Sequence, residues 1–313
     1  MIRRVLTLAI AVLVTSVLLA SPVAASSRGQ SSLSKHDSNC GAGADSASTS
    51  RQATGRDGMI REPVLDQTAT PLPKSAVGKA ARIPGGFSAT VDVYWHIITG
   101  NGEGNLTSKQ IRDQITVLNN TFGGGEGGAD TGFSFSLAGV DRTENPKWYT
   151  TDSTGSEHAM KKALKRGDDS DLNVYSTLGG GYLGWAYYPS ITETNQSYLD
   201  GIVLNWRSVP GASTAYAGRY DLGETLTHES GHWLNLAHTF DGGCKAPGDY
   251  VDDTPAMSVP TAGCPEGKDS CPDSAGVDPI HNYMDYSYDS CYTEFTPGQV
   301  ARAQDAWLLY RAS

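Results

Sequence analysis

The sequence is short of clustered basic charge. Its 24 Lys and Arg against 34 Asp and Glu give a net charge of −10, and no extended Lys/Arg block stands against that balance. This excludes the electrostatic footprint that a nucleic-acid partner requires. Apolar runs of spanning length are absent after residue 20, so the chain carries no transmembrane helix unless its extreme N-terminus stays attached. Charged residues make up only 19%, too few for a coiled coil or a disordered polyelectrolyte. Cysteine is scarce as well: 5 in 313, none in a CxxC pair, which argues against a closed structural zinc module. Glycine is plentiful at 36, as in a loop-rich globule.

The N-terminus reads as an export signal. Met1-Ile2-Arg3-Arg4 is a basic start, Val5 to Ala20 is mostly apolar, and Val23-Ala24-Ala25 supplies small residues for cleavage after Ala25. Residues 1–25 are therefore expected to be removed from a secreted, extracellular protein whose thiols meet an oxidising medium. Residues 26–82 are rich in Ser, Ala, Gly, Thr and Pro without a sustained apolar period. Such a segment cannot bury enough surface to fold alone, and it reads as a propeptide. Residues 83–313 are the expected catalytic domain.

Within that domain, strand composition marks residues 91–98, 133–137, 172–175 and 201–206. Thr107 and Gln110 form a capping box ahead of Ile111, Ile115, Leu118 and Phe122 on one helical face. Ser156 is expected to cap a helix carrying Met160 and Leu164, closed by Gly167. Thr296-Pro297-Gly298-Gln299 starts a last helix with Val300, Ala303 and Trp307 inward. The order implies a mixed sheet with helices, followed by a loop-rich stretch and a terminal helix.

One segment carries chemistry. His228, His232 and His238 fall within eleven residues, although the whole chain holds only 7 His. His228 and His232 lie four apart, so on a helix their imidazoles leave the same face. His238 is too far along to share that face, and the chain must bend between them. Asn235 stands where the bend is needed, and Asn adopts positive φ more readily than any residue but Gly. Three neutral imidazoles with one position left open make a catalytic rather than a structural zinc site. Glu229, beside the first ligand, is placed to act as general base on water, and the reaction implied is amide hydrolysis without an acyl-enzyme.

The segment HESGHWLNLAHTF, the later NYMDYSYDSC (Asn282 to Cys291), GDYVDDTP and FTPGQVAR together resemble the pappalysin family of metzincin metallopeptidases. Asn235 departs from the Gly more usual there. The resemblance implies an α+β metzincin-type zincin, with an active-site helix in an upper lobe and a loop-rich, disulfide-linked lower lobe ending in a helix. It implies Zn²⁺ on the three histidines, Met284 as the floor of a Met-turn, and Tyr286 as a catalytic tyrosine hydrogen-bonding the oxyanion. Asp289 falls in the loop expected to wall the S1′ pocket, where a buried carboxylate would favour Arg or Lys at P1′. The family pattern pairs Cys244 with Cys271 and Cys264 with Cys291; spacing alone leaves all three pairings open. Cys40 is left over, and its thiolate is expected to fill the open zinc position in a latent zymogen. Asp249, Asp252, Asp253 and Thr254 form an oxygen-rich cluster of the kind that holds Ca²⁺, with solvated turn aspartates as the alternative. The expected partners are protein or peptide substrates, with no stable membrane association and a monomeric state. Two other readings share the site: a secreted zinc-binding module without turnover, and a zinc amidase acting on small or cell-wall peptides.

Overall fold

The computed structural model describes the backbone of residues 50–52 and the chain from 68 to 312, position 152 excepted. The signal segment 1–25 and Cys40 lie outside the described residues. Six strands form one sheet in the order β1-β5-β6-β4-β2-β3: β1 Ser50–Gln52, β2 Ala89–Thr99, β3 Phe133–Glu144, β4 Leu172–Thr177, β5 Tyr182–Ala186 and β6 Ile202–Asn205. From β3 to β6 the pairing is parallel, whereas β5 runs antiparallel to both β6 and β1. The central strands β4 and β6 are buried along their whole length, as expected of strands covered on both faces.

Helices cover both faces. Helix α1 (Ser108–Phe122) begins with the expected capping box at Thr107 and Gln110. Helix α4 (Glu224–Trp233) and helix α5 (Pro297–Tyr310) complete that layer, and the three share one core. There Trp95, Val174 and Leu204 of the sheet meet Ile111, Leu118, Leu226, Trp233, Val300 and Trp307. The other face packs Ile98, Tyr175, Trp185 and Val203 against Tyr149 of α2 (Pro146–Thr150) and Met160 of α3 (Thr154–Leu164). Ser153, not Ser156, caps α3, because the Ser153 hydroxyl accepts from the Ser156 amide. Among the described residues no helix is long and apolar enough to cross a membrane.

Two regions differ from the expectations drawn from sequence. Strand β5 was not anticipated, because Gly184 interrupts its apolar pattern. Residues 69–82 were assigned to a segment unable to fold alone, and they instead pack on α5. The Gly78 and Ala80 amides donate to the Asp305 carboxylate, and Ala76 and Ala80 are buried. A composition argument is blind to a surface supplied by the domain. Between α4 and α5 the chain is mostly turns, braced by the disulfides Cys244–Cys271 and Cys264–Cys291, each closing 27 residues. The pairing agrees with the one the resemblance implied, and each bridge contributes about 3–4 kcal/mol in the chain-entropy model.

Candidate active site

Helix α4 presents His228 and His232 one turn apart, and the helix then stops as the ligand spacing required. Asn235 takes φ +72°, the Asn235 amide donates to His232 O at 2.9 Å and the Leu236 amide to Gly231 O at 2.9 Å. This pair of reversed bonds is the Schellman arrangement, which needs a residue that tolerates the left-handed region. The turn returns the chain so that His238 Nε2 lies 3.1 Å from His232 Nε2, while His228 Nε2 lies 3.0 Å from the same atom. All three rings are fully buried.

The far nitrogens settle the tautomers. His228 Nδ1 meets Tyr283 O at 2.6 Å and His232 Nδ1 meets Leu236 O at 2.7 Å. A carbonyl only accepts, so each Nδ1 carries the proton and each Nε2 presents a lone pair. Lone pairs converging at 3.0 Å with no proton between them repel, and a divalent cation bound among them removes that repulsion. The donor set and the oriented outer nitrogens fit zinc. Leu236 O thus makes the bend serve twice: it aims His238 and it orients His232.

Glu229 is buried on the same helix and lies against Gly184 of β5. A Cβ on Gly184 would sit 3.1 Å from Glu229 Cγ and 3.2 Å from Oε1. Leu183-Gly184-Trp185-Ala186 also resembles the family, but the packing of this glycine on Glu229 shows only in the fold; a Gly inside a strand pattern is itself a sign of close approach. Met284 is fully buried against α4, where Gly231 leaves room for its sulfur. Asn282 holds the Met284 turn to the start of α5 through two amide bonds with Gln299, at 2.7 and 2.9 Å. The Tyr286 ring lies 4.9 Å from His238 and 5.7 Å from His228. Asp289 is buried, and its Oδ2 accepts from the Leu222 and Gly223 amides at 3.0 and 3.2 Å, just ahead of α4.

Not every sequence candidate joins this centre. Asp249, Asp252 and Asp253 do not bring three carboxylates within ligand distance of one another. Asp249 is buried and accepts from Thr254 Oγ1 and the Val251 amide. Asp253 instead accepts from Thr296 Oγ1 and the Gly298 amide at the start of α5. Cys264, His281 and Cys291 lie close together, but the two sulfurs are bonded to each other and offer no thiolate. His96 is a packing histidine: it is buried, stacked on Tyr175, and held between Asp141 and Asn173.

Residues 172–307 match the peptidase family M43 model, described as pregnancy-associated plasma protein-A. The chain is 49% identical over 230 residues to an extracellular metalloprotease of Verticillium alfalfae, covering 71% of this chain and 77% of that protein. It is 47% identical over 228 residues to an extracellular metalloprotease of Podospora anserina, covering 71% and 74%. Mature mirolysin of Tannerella forsythia, in complex with a cleaved peptide, superposes with TM-score 0.60 at 28% identity over 70% of this chain and 91% of its own. The chain therefore belongs to the pappalysin family of metzincins and is an extracellular zinc metalloprotease.

Proposed function

We propose that the protein is a secreted endopeptidase made as a zymogen, with zinc on the Nε2 atoms of His228, His232 and His238 and Glu229 as general base. The observation that carries this reading is the convergence of three Nε2 atoms at 3.0–3.1 Å beside a buried carboxylate. Zinc, when bound, acidifies water toward a pKa of about 7 and polarises the scissile carbonyl. Glu229 takes the water proton and passes it to the leaving amine, a role worth about 10²–10⁴ in rate. Tyr286 donates a hydrogen bond to the oxyanion of the tetrahedral species. Asp289 draws an Arg or Lys side chain at P1′ by charge-assisted pairing.

The substrate pairs as an extended strand with β5, the recognition mode in which backbone bonds supply affinity. Strand β1, from the segment ahead of the domain, pairs antiparallel with β5 and sets Arg51 opposite Gly184, the glycine against Glu229. That supports a latent form in which the pre-domain segment covers the cleft edge, with Cys40 as a zinc ligand until it is removed. A proform of mirolysin is among the similar solved structures, at TM-score 0.60 and 28% identity over 70% of this chain and 80% of its own. Membership in a peptidase family leaves the silent binding module without support.

The test is hydrolysis of casein and of a peptide with internal Arg, with and without a zinc chelator. Glu229→Gln should keep its zinc and lose about 10²–10⁴ in kcat. A variant as active as the wild type would overturn the assignment. Turnover confined to small amides, with casein untouched, would favour the amidase reading instead.

A further inference from the structure

The turn between the second and third histidines is held from outside the domain core. Asn235 is fully buried; its Nδ2 donates to Thr70 O at 3.2 Å, and its own carbonyl accepts from Arg302 Nε at 2.9 Å. Arg302 Nη2 donates to the same Thr70 carbonyl at 2.8 Å. One backbone oxygen therefore joins the left-handed residue of the zinc-site turn to α5. Ala69 packs with Ala237, the residue before the third histidine, and with Tyr188, whose ring meets His232 edge-on at 5.5 Å.

The following residues anchor this contact. Asp305 accepts from the Ala80 amide at 2.8 Å and also from the Gly78 amide. Lys79 and Arg82, which a basic-directed peptidase would seek, are exposed, but their backbone lies in a turn and a 3₁₀ helix rather than extended. A peptidase that binds substrate as a strand cannot seat such a segment without unfolding it.

We propose that residues 69–82 are a permanent strap of the mature enzyme, with Thr70 and Asn235 as positioning residues that fix the His232–His238 turn. The activating cut consequently falls on the N-terminal side of Ala69. Removing the strap would strand the Asn235 amide and the Arg302 guanidinium without the Thr70 carbonyl, and a buried donor left unpaired destabilises the arrangement around it. The turn would then be free to swing His238. This rests on the three histidines holding zinc, as proposed above.

The test uses the full chain after its own maturation. The mature N-terminus, read by sequencing and intact mass, should precede Ala69. Asn235→Gly keeps the positive φ but removes the tether, and Asn235→Asp replaces the donor with an acceptor facing Thr70 O. Both should release zinc to a colorimetric chelator about tenfold faster, with altered visible bands after cobalt substitution; Asn235→Gly should leave the melting point of the metal-free form unchanged, whereas the buried carboxylate of Asn235→Asp lowers it. A mature chain beginning at Ala80 or Ile83 with full zinc retention overturns the strap. Wild-type zinc release in Asn235→Gly, or a metal-free melting point of Asn235→Gly that falls in step with its zinc retention, overturns the positioning role. Wild-type protein that binds no zinc would instead defeat the zinc reading on which this one rests.

Discussion

Gly231 and Met284 interlock: a Cβ at position 231 would overlap the Met284 sulfur. Gly231 is buried in α4 and Met284 is fully buried, so the methionine side chain must move aside for any Cβ at position 231. The glycine sits inside α4 between two metal-ligand candidates, where helix propensity alone would favour Ala by about 1 kcal/mol. Overpacking costs about 1–3 kcal/mol in a well-filled core. Gly231→Ala should therefore lose stability on balance, by up to about 2 kcal/mol, and retain zinc less well. Thermal unfolding together with bound-zinc stoichiometry checks both; a more stable variant with full zinc would refute the interlock.

Gly184 does for Glu229 what Gly231 does for Met284. A side chain there meets Val203 O at 3.0 Å and Glu229 Cγ at 3.1 Å, so Ala must push either the strand or the carboxylate. A displacement of about 1 Å at a reacting group can cost about 10²-fold. Gly184→Ala should lower kcat by about 10–100-fold while zinc content stays at the wild-type level. Unchanged kcat would mean that Glu229 can work from a shifted position.

Burial pushes the Asp249 carboxyl up to about 6, against the hydrogen bonds from Thr254 and the Val251 amide that pull it down. The unfolded chain releases that proton near a pKa of about 3.9, so the folded state binds it more tightly between these values. Stability then falls as pH rises from about 4 to about 6 and is level above that. Asp249→Asn can keep both contacts, since Thr254 Oγ1 also reaches Val251 O at 3.0 Å and can turn its proton there. Relative to wild type, the variant should match at pH 4 and gain about 2 kcal/mol by pH 7, read by urea unfolding without calcium. Asp285, also raised to about 6 by burial, is present in both proteins and cancels. If Asp249 ligates Ca²⁺, adding the ion will stabilise the wild type alone and reverse the difference.

The zinc motif was legible in the sequence because its spacing is dictated by one helix turn and one bend. His228, His232 and Asn235 occupy the positions that geometry demands, and the capping boxes at Thr107 and Thr296 mark helix starts by local chemistry. What could not be read depends on partners remote in sequence. Gly184 is informative only once Glu229 lies against it. Arg311, bonded to Asp200 at 2.9 Å and to Trp233 O at 3.0 Å, closes off the end of α4 from the far end of the chain. Residues 69–82 have no apolar period of their own because the surface they cover belongs to α5 and the Asn235 turn.

Asp289 presents a choice that its own geometry sharpens. Its Oδ2 holds the Leu222 and Gly223 amides, and its own amide donates to Arg219 O at 2.8 Å. The residue therefore clamps the entrance of α4 whatever else it does. A pocket role needs the negative charge as well as the position, and Asn separates the two, because its carbonyl oxygen can still accept from the amides. Hydrogen bonds to charged groups contribute about 1.5–3 kcal/mol. Asp289→Asn should accordingly cut the preference for Arg or Lys at P1′ by about 10–100-fold across a peptide library, with kcat on neutral P1′ residues little changed. A basic preference that survives the substitution would leave Asp289 only its clamp, and the charge that selects P1′ would have to come from another carboxylate.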